Sequence, residues 1–221
     1  MSRIVLKVGG AVAREAATRA LALASRHEVC LVHGAGPQIS AELERAGLEV
    51  RFVDGRRVTS EAALAVVRES LAAVNAEVCA AIGPRAVPLF GDEIGLAAER
   101  VPELGHVGSA LRSRPAAIGT ALAEGAIPVV APLAVGPLNV NADEAAAALA
   151  IGLGADRLLF LTDVPGVLLG GVVASTIRIA HAEGLLARGE LGGGIVPKLH
   201  AAVAAAREGV DATIGRTVVL A

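Results

Sequence analysis

Arg3-Ile4-Val5-Leu6-Lys7-Val8 is a run of strand length, mostly apolar, closed by Gly9-Gly10 and followed by a helical pattern over Ala13–Arg26. Glu28–His33 is a second such run, closed again by glycine in Gly34-Ala35-Gly36. A strand covered on both faces reads as a continuous apolar run, and two of them joined by a helix form a parallel βαβ unit. The alternation continues outward. Pro37–Ala46 reads as a helix stopped by Gly47, and Leu48–Thr59 as a short hairpin turning at Asp54-Gly55. Ser60 caps a long helix to about Ala81. Ala86–Leu89 is a strand, Glu99–Arg112 an irregular β region, Ala116–Glu124 a helix and Ile127–Ala131 a strand. Asp143–Leu153 is a helix and Leu158–Leu161 a buried strand; His181–Arg188 and Ile195–Glu208 are helices; Asp211–Ile214 and Thr217–Leu220 are closing strands. The expectation is one α/β domain with a mainly parallel sheet covered on both faces.

Composition narrows the function. The chain has 221 residues, 54% hydrophobic and 19% charged, enough for a large core and incompatible with disorder. Mean hydropathy is +0.62. The longest uncharged stretch, Gly125–Ala142, nevertheless carries Pro128, Pro132 and Pro137, which a spanning helix would not. With no signal-type run before Lys7, a soluble, cytoplasmic protein is expected. A net charge of -2 and three phenylalanines as the only aromatics argue against a nucleic-acid surface. Cys30 and Cys79 read as core thiols, and five histidines without ligand spacing predict no structural metal.

Of the 20 basic residues, 18 are arginine; Lys7 and Lys198 are the exceptions. Two compact ammonium groups in an arginine-rich chain suggest positions that a planar guanidinium would not fit, although chance alone could leave two. Lys7 stands before Gly9-Gly10, and Lys198 follows Gly192-Gly193-Gly194. Glycine turns after strands can bring backbone N–H groups to an anion, but they also serve plain turn geometry. No Walker A sequence is present, and Gly152-Leu153-Gly154 follows a helix instead of a strand, so both phosphate fingerprints are discarded. Two of the three asparagines lie in Asn139-Val140-Asn141-Ala142-Asp143. They read as helix caps or as site groups, and Asp143 is placed to hold two ammonium groups. His33 reads as a structural hydrogen-bond partner, and Arg57 as a solvated charge or a carboxylate fork.

Taken together, Lys7-Val8-Gly9-Gly10, Val32–Gln38, Gly55–Thr59, Glu103–Gly108, Asn139–Asp143, Thr162–Gly166 and Gly194–Lys198 resemble the acetylglutamate kinases of the amino acid kinase superfamily. The motifs follow the family's order and span nearly the whole chain. The resemblance implies a three-layer αβα sandwich, with residues 1–138 binding the acyl amino acid and carrying dimerisation, and 139–221 binding ATP. It implies phosphorylation of the γ-carboxylate of N-acetyl-L-glutamate in arginine biosynthesis, with Mg²⁺ carried on the nucleotide. Lys7 and Lys198 would stabilise the transferring phosphoryl group and Asp143 would organise them. Ala35, Gly36, Arg57, Asn139 and Asn141 would hold the acyl amino acid. Gly9, Gly10, Asp163, Val164, Gly166, Val167, Leu168, Leu191 and Gly192 would meet the nucleotide.

This sequence departs from the family at Ala35, where glycine is usual, and between Asp211 and Arg216, where a longer helical insertion is absent. The N-terminal extension of arginine-inhibited members is also missing, so insensitivity to arginine is expected. In the helix Ser60–Ala81, Leu64, Val67, Leu71, Val74 and Val78 recur at spacings of three and four. Such a stripe packs on the chain's own sheet or forms a seam between helices. The resemblance, in which this helix pairs across a twofold axis, favours a homodimer. A kinase of a carrier-linked aminoadipate and a non-catalytic sensor of the same fold are the alternatives.

Overall fold

A computed structural model describes residues 1–9 and 13–221. The elements run β1 (Arg3–Val8), α1 (Ala13–Leu23), β2 (Glu28–His33), α2 (Gly36–Arg45), β3 (Phe52–Val53), β4 (Arg56–Arg57), α3 (Glu61–Ile82) and β5 (Ala86–Phe90). They continue with α4 (Gly91–Ile94), β6 (Ala98–Arg100), β7 (Val107–Ala110), α5 (Ala116–Ala123), β8 (Ile127–Ala131), β9 (Leu133–Ala134), β10 (Leu138–Val140) and α6 (Ala142–Leu153). The last are β11 (Arg157–Leu161), β12 (Leu168–Leu169), β13 (Val172–Val173), β14 (Thr176–Arg178), α7 (Ile179–Ala187), α8 (Ile195–Arg207), β15 (Asp211–Ile214) and β16 (Thr217–Leu220).

Eight strands form one sheet in the order β14-β16-β15-β11-β1-β2-β8-β5. Every neighbouring pair is parallel except β15 with β16. The alternating side chains of a strand feed two cores. Ile4, Leu6 and Val8 pack with residues of α1, α2 and α3. Val5, with Leu158 and Phe160, packs with α5, α6, α7 and α8. This is the three-layer arrangement, with helices on both faces of a mainly parallel sheet. Chain order reverses at β1, which has β2 on one side and β11 on the other. A crevice opens beyond the carboxyl ends of the strands at such a switch point. Lys7 and Gly9 stand at that end of β1.

Local chemistry fixes the pieces around the crevice. Ser60 Oγ accepts the Ala63 N–H at 3.2 Å and starts α3. Asn141 Oδ1 accepts from the N–H groups of Asp143 (2.8 Å) and Glu144 (3.3 Å) and starts α6. Asp54 and Gly55 turn β3 into β4 with successive positive φ values of 49° and 76°, as a type I′ turn requires. A smaller sheet, β6-β7-β10-β9, carries Asn139 beside Val107.

Several expectations change. The first helix stops at Leu23 instead of Arg26. β9 and β10, the β12–β13 hairpin and β14 lie in stretches where no strand was expected, because two- and three-residue strands leave no periodicity to read. The discarded Gly152-Leu153-Gly154 is structural: a Cβ on Gly152 would stand 1.9 Å from the carbonyl oxygen of Ser113. Gly154 adopts the left-handed turn that ends α6. The stripe on α3 is also corrected. Val67, Leu71, Val74 and Val78 are buried within the single chain, against the sheet, so the stripe is core and not a seam. Among the described residues, no helix is long and apolar enough to cross a membrane.

Candidate active site

Lys7 enters the crevice from β1, almost completely buried, with Nζ 2.7 Å from Asp143 Oδ1. Lys198, in the first turn of α8, places Nζ 3.5 Å from Asp143 Oδ2 and 3.2 Å from the Gly194 carbonyl. Asp143 sits in the first turn of α6 and is itself buried. One carboxylate therefore holds two ammonium groups, supported by the positive end of a helix. Burial lowers the pKa of Lys7, the Asp143 charge raises it, and the charge of Lys198 lowers it further. Net positive charge at the mouth of the crevice is suited to an anion whose charge grows during reaction.

A cavity of about 260 Å³ opens beside this cluster. It brings together Lys7, Gly9, Ala35, Gly36, Arg57, Asn139, Asn141, Asp143 and Lys198, nine of the residues expected from the sequence. Ala35 caps α2 with φ -143° and ψ 29°; its φ is negative, so the position does not demand glycine. The first N–H groups of a helix have no partner inside it, which points the start of α2 at the cavity as an anion site. Arg57 is buried. Its Nη2 donates to the Gly36 carbonyl (3.0 Å) and to Ser40 Oγ (2.9 Å), and its guanidinium lies 4.5 Å from the Phe52 ring centroid. Nη1 is buried without a partner. An unpaired cationic donor at a cavity wall has the chemistry to pair with a carboxylate. Asn139 Nδ2 donates to Thr59 Oγ1 at 3.0 Å, and Asn141 Nδ2 donates to the Gly55 carbonyl at 3.1 Å.

The other expected nucleotide residues fall elsewhere. Gly10 lies outside the described residues. Asp163 and Val164 belong to the loop after β11, Leu168 opens β12, and Leu191 and Gly192 precede α8. Val167 is turned inward. Its side chain is in the core, its N–H donates to Thr217 Oγ1 (2.9 Å), and its carbonyl accepts from Ala174 (2.9 Å). Gly166 is required by packing, since a Cβ there would stand 2.5 Å from Thr217 Oγ1.

The sequence reading missed Ser40, Thr59 and Asn75. Asn75, the third asparagine, is buried in α3 and donates through Nδ2 to the Val129 carbonyl (2.9 Å) and toward His33 Nε2 (3.1 Å). Its rarity was the one signal that could have found it. The contact makes His33 Nε2 an acceptor and the imidazole neutral. His33 is thus a structural partner, as expected. Burial pushes its pKa down to about 4, with the Lys7 charge acting in the same direction and the Gly34 backbone opposing. The unfolded chain, with a histidine near 6.5, binds more protons between these values. Stability present above pH 6.5 is therefore lost as pH falls toward 4, by roughly 3 kcal/mol in the limit. Urea midpoints at pH 7 and pH 4.5 check this: His33→Gln should flatten the difference, and an unchanged slope would contradict it.

Comparison with known proteins follows the same lines. Residues 2–216 match the model of the amino acid kinase family. A Rubrobacter xylanophilus protein named acetylglutamate kinase is 40% identical over 224 residues, covering 97% of this chain and 88% of that one. A Koribacter versatilis protein of the same name is 38% identical, covering 94% and 87%. Among solved structures, smu.665 from Streptococcus mutans UA159 has a TM-score of 0.89 at 26% identity, covering 99% and 98%. Carbamate kinase from Giardia lamblia bound to AMP-PNP has a TM-score of 0.75 at 14% identity, covering 99% and 98%, a likeness of fold alone.

Proposed function

The chain belongs to the amino acid kinase family, and from that premise we propose that it transfers the γ-phosphoryl group of ATP to the γ-carboxylate of N-acetyl-L-glutamate. The observation that carries the reading is the convergence of both lysines on Asp143, beside a cavity walled by the unpaired Nη1 of Arg57. The volume lies just below the usual range of roughly 300–1,000 Å³ for ligand sites and suits a small acylated amino acid. Arg57 and Asn139 hold the substrate; Ala35 and Gly36 offer backbone N–H groups; Asn141 shapes the wall between them.

A carboxylate oxygen attacks the γ-phosphorus as the bond to the bridging oxygen breaks, and ADP leaves with that electron pair. The nucleophile is already anionic near neutral pH, so no general base is needed. Catalysis is positioning and charge neutralisation. Lys7 and Lys198 face the negative charge carried by the transferring group, and Asp143 keeps the ammonium groups protonated and apart. Asp143 is the one carboxylate lining this cavity, and both its oxygens serve lysines. The residues present therefore do not fit a protein-held metal, and Mg²⁺ belongs to the nucleotide as part of the substrate.

Residues 1–138 make up the acyl-amino-acid half and 139–221 the nucleotide half, with Gly9, Asp163, Val164, Leu168, Leu191 and Gly192 toward ATP. The reading places the enzyme in the cytoplasm as a homodimer. Support for pairing now comes from the outer face of α3, where Ala62, Ala65, Ala73, Ala76 and Ala80 are exposed. A monomeric mass by light scattering would contradict it.

Trapping the acyl phosphate as a hydroxamate tests the function directly. Acetylglutamate should turn over with ATP and aminoadipate derivatives should not; the reverse preference, or no product, would contradict the reading. Arg57→Ala should raise KM for acetylglutamate by roughly ten- to hundredfold, the worth of charge-assisted hydrogen bonds. KM for ATP should stay nearly constant, and equal damage to both constants would count against Arg57 as the fork.

A further inference from the structure

The β3–β4 hairpin separates two cavities. Gly55 and Arg56 line both the substrate cavity and a second one of about 710 Å³ bounded by Ser109, Glu144 and Pro197. Its strands are two residues long, paired Phe52 with Arg57 and Val53 with Arg56, and a pairing this short is marginal in water. Its position also has a cost. Arg57 is buried with Nη1 unpaired, whereas an open hairpin would return it to water. Something other than substrate holds the hairpin down.

Successive side chains of a strand point to opposite sides, so Arg56 leaves Arg57 behind and reaches into the second cavity. There its Nε lies 3.0 Å from Glu144 Oε1, and its Nη2 donates to Ser109 Oγ at 3.1 Å. Ser109 Oγ in turn donates to Glu144 Oε2 at 3.3 Å, closing a ring of three side chains. The Arg56 and Glu144 side chains are only 26% and 23% exposed, so the pair is less screened than one on the surface. Glu144 is the neighbour of Asp143 in the first turn of α6. The Asn141 bond to the Gly55 carbonyl ties the hairpin tip to the same helix start.

We propose that Arg56, Glu144 and Ser109 form a latch that holds the hairpin over the substrate cavity and sets the affinity for the acyl amino acid. The assignment rests on the reading of that cavity as the acetylglutamate site. The three are positioning residues: they touch the hairpin and α6, and they hold Arg57 in register with Asp143.

The experiment compares wild type, Glu144→Gln, Arg56→Leu and the double variant in two readouts. In steady-state kinetics each single variant should raise KM for acetylglutamate roughly three- to tenfold, the range of a partly buried ion pair, with kcat and KM for ATP within about twofold. The double variant should be no worse than the worse single one, because both act through one contact. In limited trypsin digestion without substrate, Glu144→Gln should be cut faster at Arg57 than wild type while its thermal midpoint holds. An unchanged KM with unchanged cleavage would overturn the latch, and so would losses that add in the double variant or fall equally on kcat. If wild type fails to turn over acetylglutamate, the substrate reading fails, and the digestion still decides the latch.

Discussion

Lys198→Arg should lower turnover by about 10²–10³, or about 2.7–4 kcal/mol, the worth of one donor lost from a transition state. Charge is conserved in this exchange, so the loss isolates geometry. The ammonium of Lys198 is small enough to stand 3.5 Å from Asp143 and 3.2 Å from the Gly194 carbonyl, with a side chain only 14% exposed. A guanidinium is planar, wider and longer in reach, and it would either overshoot Asp143 or crowd Lys7. The chain uses arginine at 18 of its 20 basic positions, so retaining lysine here is informative. Turnover within tenfold of wild type would remove Lys198 from the reaction.

Asp143→Asn should be comparably severe, by a different route. The substitution keeps the shape of the side chain and removes the one negative charge between two ammonium groups. Burial and Lys198 already press the Lys7 pKa downward, and Asp143 is what opposes them. Without it Lys7 gives up its proton at lower pH, because a buried unpaired charge costs several kcal/mol. Turnover at neutral pH should fall by roughly a hundredfold or more, as for a lost electrostatic donor. The activity that remains should decline at lower pH than in wild type, since the active form needs Lys7 protonated. A pH–rate profile measures this. An alkaline limb in its original place would show that Asp143 does not govern Lys7.

Much of this was legible in the chain. Strand runs closed by glycine gave the βαβ order and so the crevice at the end of β1, because continuous apolar runs have few other readings. The rarity of lysine picked out Lys7 and Lys198, and two of three asparagines marked the start of α6. Partnership was not legible. Arg57 with Ser40, Asn75 with His33 and Arg56 with Glu144 join residues that only the closed fold brings together, and no local pattern records such pairs. The α3 stripe shows the same limit from the other side. A repeat of three and four says that a helix face is covered, and the covering surface proved to be the chain's own sheet. Val167 shows a related limit: a loop position matching a motif can spend its N–H, its carbonyl and its side chain inside the protein.

The central claim is that the acyl carboxylate attacks phosphorus in a site built from Lys7, Asp143 and Lys198. Acetylglutamate labelled with ¹⁸O in its γ-carboxylate, incubated with ATP and the enzyme in hydroxylamine, tests it most directly. Hydroxylamine attacks the carbonyl carbon of an acyl phosphate and releases phosphate that keeps the bridging oxygen. Mass spectrometry should therefore find one labelled oxygen in each phosphate released. Unlabelled phosphate would mean that water, and not the carboxylate, receives the phosphoryl group, and would contradict the account.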